Sequence, residues 1–146
     1  MATSHGMDEA DIRRRIHKLV EAIRAKDLEA VMPIYAPDIV SFDIEPPLKH
    51  VGAAEKKGNW VKAFAAYEGP LGYEIRDLAI TVGDAVAFTH SLARISGTLR
   101  SGNSNAYWVR WTACLRKIDG NWLIVHDQVS VPLDMKSGSA LLNLTA

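Results

Sequence analysis

Two histidines, an arginine and a glutamine carry most of the chemistry this sequence has to offer. His126 and Gln128 lie in the stretch WLIVHDQVS at residues 122–130, which follows the tight-turn signal Asp119-Gly120-Asn121. A period of two puts Trp122, Ile124, His126, Gln128 and Ser130 on one strand face, and Leu123, Val125, Asp127 and Val129 on the other. The first face runs from apolar to polar, as expected of a strand that starts in a packed interior and ends at a cavity. On this reading Asp127 points away from His126, so the two form no dyad. His90 shares a face with Val86, Phe88, Leu92 and Arg94, and Arg110 shares one with Trp108. Imidazoles exchange protons near neutral pH, while a guanidinium or amide can hold a carboxylate or polarise a carbonyl.

Composition removes several alternatives. Lys+Arg and Asp+Glu are both 17, so no net field draws nucleic acid or an anionic membrane, and neither is expected as a partner. No apolar run approaches the ~20 residues of a membrane span, and no basic-then-apolar leader opens the chain, so a cytoplasmic protein is expected. The single cysteine, Cys114, excludes an internal disulfide framework and reads as a small hydrophobe. Neither a glycine-rich nucleotide motif nor H-E-x-x-H nor a paired-cysteine spacing occurs, so no metal or cofactor is expected. His90, His126 and Asp43 together would make a two-histidine, one-carboxylate set, but no local spacing supports it.

The elements that must position these residues read as one domain over residues 8–132, with a frayed N-terminus (1–7) and a tail (133–146). Ile12, Ile16, Leu19, Val20 and Ile23 recur at helical spacing behind an N-cap at Asp8. Asp27 caps a short second helix, which Pro33 ends. An alternating strand over 39–44 carries Asp43 and stops at Pro46-Pro47. A third helix spans 52–67 with Trp60, Val61, Phe64 and Tyr67 on one stripe, closed by Gly69-Pro70-Leu71-Gly72. Strands over 73–82, 85–99, 105–118 and 122–130 then form an antiparallel meander, long enough that bulges must bend it. The fold class is α+β, three helices against a strongly curved antiparallel sheet. In the strand over 105–118 both faces carry large side chains, which three helices cannot cover, so a homodimer through the sheet is expected.

The segments KDLEAVMPIYAPDIVSFD and RKIDGNWLIVHDQVS, in this order of elements, resemble the NTF2-like superfamily and its SnoaL-like or ketosteroid-isomerase-homologue branch. The resemblance covers residues ~8–132 and implies a cone-shaped sheet, a deep pocket between sheet and helices, and commonly a dimer. It also implies that Asp43, on the strand after the second helix, matches the general base of ketosteroid isomerases. The family's enolate-stabilising tyrosine and acid fall at Leu19 and at Thr112 or its neighbour, which do not match.

Two readings stay open. In the first, the protein is a metal-free acid/base enzyme, an isomerase, hydratase or cyclase acting on a carbonyl compound. Asp43 is then the base, His90 and His126 supply a donor or acid, Arg110 and Gln128 orient the substrate, and Trp60, Tyr73 and Trp108 form apolar walls. In the second, the same pocket binds a small molecule without catalysis, or the domain serves dimerisation.

Overall fold

The computed structural model describes residues 4–146. Helix α1 (Ser4–Arg24) lays one stripe inward, and Ile12, Ile16, Leu19, Val20 and Ile23 are all buried. It begins ahead of Asp8, so the expected fraying of 1–7 does not extend to residues 4–7; residues 1–3 lie outside the described residues. The Asp8 carboxylate instead accepts from Trp122 Nε1 and Lys117 Nζ, both at 3.1 Å, pinning the helix to the last hairpin. Helix α2 (Leu28–Val31) starts at Asp27, whose side chain accepts from the Ala30 amide, and a 3₁₀ turn carrying Pro33 (Met32–Ile34) ends it.

Strands β1 (Tyr35–Phe42) and β2 (His50–Val51) precede helix α3 (Ala53–Ala66). Four long strands follow: β3 (Tyr67–Val82), β4 (Val86–Leu99), β5 (Ser104–Ile118) and β6 (Asn121–Ser130). Among the described residues they form one sheet in the order β2-β1-β6-β5-β4-β3. The meander β3 to β6 is antiparallel as expected. β1, however, pairs parallel to β6, with Val40 beside His126, Ser41 beside Asp127 and Phe42 beside Gln128, so the sheet is mixed.

Two departures from regular pairing decide which side chains face the helices. β3 runs directly out of α3, and the 69–72 segment is an irregularity inside the strand, where Gly69 takes φ 64°, not a turn before it. In β6, Cys114 pairs with His126 but Leu115 pairs with Ile124, which leaves Val125 as an extra residue. One inserted residue inverts the side-chain alternation of the rest of a strand. Trp122 and Ile124 are therefore buried on the helix-facing side, as expected. Beyond the bulge it is Asp127 that is buried there, while Gln128 is exposed.

The helix-facing side of β4 is small (Ala87, Thr89, Ser91 and Ala93, all buried), and that of β5 carries Val109, Trp111, Ala113 and Leu115. The opposite side of the sheet exposes Val86, Phe88 and Phe42. The tail folds back through a bridge between Leu133 and Ala140, and Arg76 Nη1 donates to the Ala146 carbonyl at 3.2 Å. No described helix is long and apolar enough to cross a membrane.

Candidate active site

Where the end of β1, helix α3 and β6 meet, a lysine is enclosed. Lys56 is 3% exposed, the one fully buried residue of α3. Its ammonium lies 2.9 Å from Asp43 Oδ1, 3.1 Å from Asp127 Oδ2 and 3.0 Å from Ser41 Oγ. An ammonium has three protons to donate, and here three acceptors surround it. Burial alone would push the Lys56 pKa down, but the Asp127 and Asp43 carboxylates outweigh it and hold the pKa above its usual value. Asp127, 1% exposed, also accepts from the Ser41 hydroxyl and, at 3.4 Å, from Trp111 Nε1. Asp43 accepts a second hydrogen bond from Asn59 Nδ2. A carboxylate offers about four lone-pair sites, so Asp43 retains capacity toward a further partner.

Beside this cluster lies a cavity of about 160 Å³. Tyr35, Trp60, Tyr67, Tyr73, Tyr107 and Trp111 supply its rings, and Asp43, Lys56, Asn59, Glu45 and Asp127 its polar edge. A volume near 150 Å³ is enough to enclose a single benzene ring. Tyr35, Tyr73 and Tyr107 stay protonated far into the alkaline range. Burial, reinforced by Asp127, raises Tyr35 well above its usual value, and burial does the same to Tyr73. Burial and the neighbouring Tyr67 push Tyr107 up to about 12. They are therefore available as hydroxyl donors at neutral pH. Tyr35 is itself held by Trp60 Nε1 at 3.0 Å.

The buried Tyr107 makes stability depend on alkaline pH. The unfolded chain releases a tyrosine proton near pH 10, whereas folded Tyr107 keeps it to about 12. The stabilising contribution is therefore complete below pH 10 and is lost as pH rises toward 12. Near-ultraviolet tyrosinate absorbance should lag the ordinary tyrosine titration across this window and rise together with unfolding.

The structure sorts the residues singled out from the sequence into two sets. Asp43, Trp60 and Tyr73 line the cavity. His90, Arg110, Trp108 and Gln128 are on the other face of the sheet. His90 is exposed between Ala79 and Thr112 of the neighbouring strands. Arg110 Nε donates to Ser130 Oγ at 3.1 Å, and the Arg76 guanidinium stacks 4.6 Å from the Trp108 ring. Gln128 lines an outer groove with Phe42, Leu48 and Lys49, which Asp43 and Val129 border from the cavity side. His126, turned by the bulge at Val125, hydrogen-bonds through Nδ1 to the Val40 carbonyl at 2.6 Å and packs edge-on against Phe42. His90 and His126 thus do not converge with Asp43. Among the described residues, no group of three His, Cys, Asp or Glu could hold a metal ion.

Sequence reasoning missed Lys56, Asp127, Tyr35, Tyr107, Asn59 and Ser41. Lys56 shares the inward helical spacing of Trp60 and Ala63, a signal that was present but broken by its charge.

Residues 12–134 match the family model of the SnoaL-like domain. The chain belongs to this family, within the NTF2-like superfamily. An NTF2-like protein of unknown function from Pseudomonas putida KT2440 is 28% identical, with a TM-score of 0.87 over 96% of this chain and 97% of that one. A ketosteroid isomerase-like protein from Erwinia carotovora atroseptica is 23% identical, with a TM-score of 0.70 over 83% and 93% of the two chains. The association domain of CaMKII from C. elegans has a TM-score of 0.68 at 18% identity, covering 88% and 98%. No curated protein sequence matches the chain. The SnoaL-like fold is thus shared by proteins described in very different terms, and the function has to be argued from the cavity.

Proposed function

We propose that this SnoaL-like protein is a metal-free acid/base enzyme that moves a proton next to a carbonyl group of a small ring-sized compound. The observation that carries this reading is the placement of Asp43, a carboxylate with free lone pairs at the edge of an aromatic cavity lined by protonated tyrosines. Asp43 accepts a proton from the carbon beside the carbonyl. A Tyr73 or Tyr107 hydroxyl donates a hydrogen bond to the carbonyl oxygen as it gains negative charge. Asp43 then returns the proton to another carbon, completing an isomerisation. If the protonated Asp43 instead gives its proton to a β-hydroxyl as the enolate breaks that C–O bond, water leaves and the step is a dehydration. Lys56 and Asn59 hold the carboxylate in place, and the rings keep water from the enolate.

Solvent-deuterium incorporation into ring-sized ketones, followed by NMR, tests this directly. Exchange at the carbon beside the carbonyl, well above the buffer rate, supports it; no exchange with any ketone that binds overturns it. The second reading, a binding module without catalysis, is favoured by one feature: both Asp43 oxygens already hold a donor, as a fixed recognition group would. It predicts binding without exchange.

We also infer a homodimer through the outer sheet face, where Phe88 is 48% and Val86 58% exposed. Phe88→Glu is expected to halve the mass seen by light scattering; a wild-type mass equal to one chain at all concentrations would contradict the dimer.

A further inference from the structure

The charge balance of the cavity selects the chemistry of its ligand. Three carboxylates, Asp43, Glu45 and Asp127, line it against a single ammonium, Lys56, which leaves an excess of two negative charges. Asp127 and Lys56 face each other, and the Lys56 protons are taken up by Ser41, Asp43 and Asp127. No cationic donor is therefore left for an anion. Other lysines nearby do not change this. Lys26 Nζ is hydrogen-bonded to the Tyr67 carbonyl, and Lys49 lines the outer groove, which shares Asp43 with the cavity but brings no ammonium into the cavity lining.

On the mouth side, Glu45 is exposed and close enough to Tyr107 to raise its pKa. Among the described residues its carboxylate makes no hydrogen bond or ion pair, its contact with His50 being through the backbone carbonyl. The remaining wall is apolar, its six rings set among aliphatic side chains such as Leu71, Ile95 and Val109, and aromatic rings with carboxylates nearby are the surroundings that stabilise organic ammonium groups. The protein's own ammonium illustrates this, since Lys56 Nζ sits 5.5 Å from the Tyr35 ring centroid.

We infer that the cavity takes a small organic cation: a ring-sized compound bearing a protonated amine, with the ammonium at Glu45, the ring among Trp60, Tyr73 and Tyr107, and Asp43 left to face the carbon beside the carbonyl. This names the substrate class of the proposed enzyme and rests on the reading of the cavity as its binding site. Carboxylate-bearing compounds of the same size are excluded by the same charges.

Calorimetric titration of the full chain at neutral pH with benzylamine, benzyl alcohol and benzoate tests this. The three share a ring and differ in charge. Benzylammonium is expected to bind at least about tenfold more tightly than benzyl alcohol, and benzoate more weakly than either. Because Glu45 is exposed, Glu45→Gln should fold normally. It should lose severalfold in benzylammonium affinity while benzyl alcohol affinity stays unchanged. Equal affinities for amine and alcohol, or a preference for benzoate, overturn the inference and leave the cavity as a binding site. Binding of none of the three overturns the inference together with that reading.

Discussion

Replacing Lys56 by methionine is expected to lower the unfolding free energy by about 3–5 kcal/mol at pH 7, the range seen when one partner of a buried ion pair is removed. Methionine keeps most of the stem's packing volume, so the loss reports the charge and not a cavity. Asp43 and Asp127, both within 3.1 Å of the ammonium, would be left converging on an empty centre, one of them 1% exposed. The variant should therefore recover stability on acidification. Its folded state can relieve the repulsion by binding a proton, so the raised carboxylate pKa costs stability as pH rises. A further Asp127→Asn change should restore much of the loss, because Asp43 alone then faces Asn59 and solvent. Urea denaturation at pH 7 and pH 5 measures all of this. A loss below about 1 kcal/mol at pH 7 would mean that water already screens the cluster.

Asp43→Asn acts on chemistry instead. Asparagine retains the shape and an acceptor oxygen but cannot take up a proton. Deuterium exchange into a bound ketone should fall by about 10²–10⁴-fold, the usual contribution of a positioned general base. Binding of the same ketone should change by no more than about threefold. Stability should change little, since Asp127 still balances Lys56. Exchange that persists within about tenfold of wild type would assign the base to another group.

The contrast between what the sequence showed and what it concealed comes down to particular residues. The stripe of α1 was legible because five aliphatic residues repeat at one spacing and all are buried. The Asp27 cap and the four-strand meander were legible from turn and cap chemistry. The interior of the cavity was not, for three physical reasons. A bulge at Val125 exchanges the faces of Asp127 and His126, and nothing in the local residue types marks its position. On β4 the large residues Phe88 and Leu92 suggested an inner face. The concave side of a strongly curved sheet has less room, and the chain fills it with alanine, threonine and serine, leaving His90 outside. Lys56 is charged, and its burial depends on two aspartates 13 and 71 residues away, a pairing no local window contains.

The central claim, that the small-molecule site is the cavity around Asp43 and not the opposite face carrying His90 and Arg110, has a direct test. A crystal structure with a ring-sized ketone that the protein binds should place the carbonyl oxygen within hydrogen-bond reach of Tyr73 or Tyr107. The adjacent carbon should lie against an Asp43 oxygen. A ligand seated instead on the outer face, near His90, Arg110 and Trp108, would contradict the account.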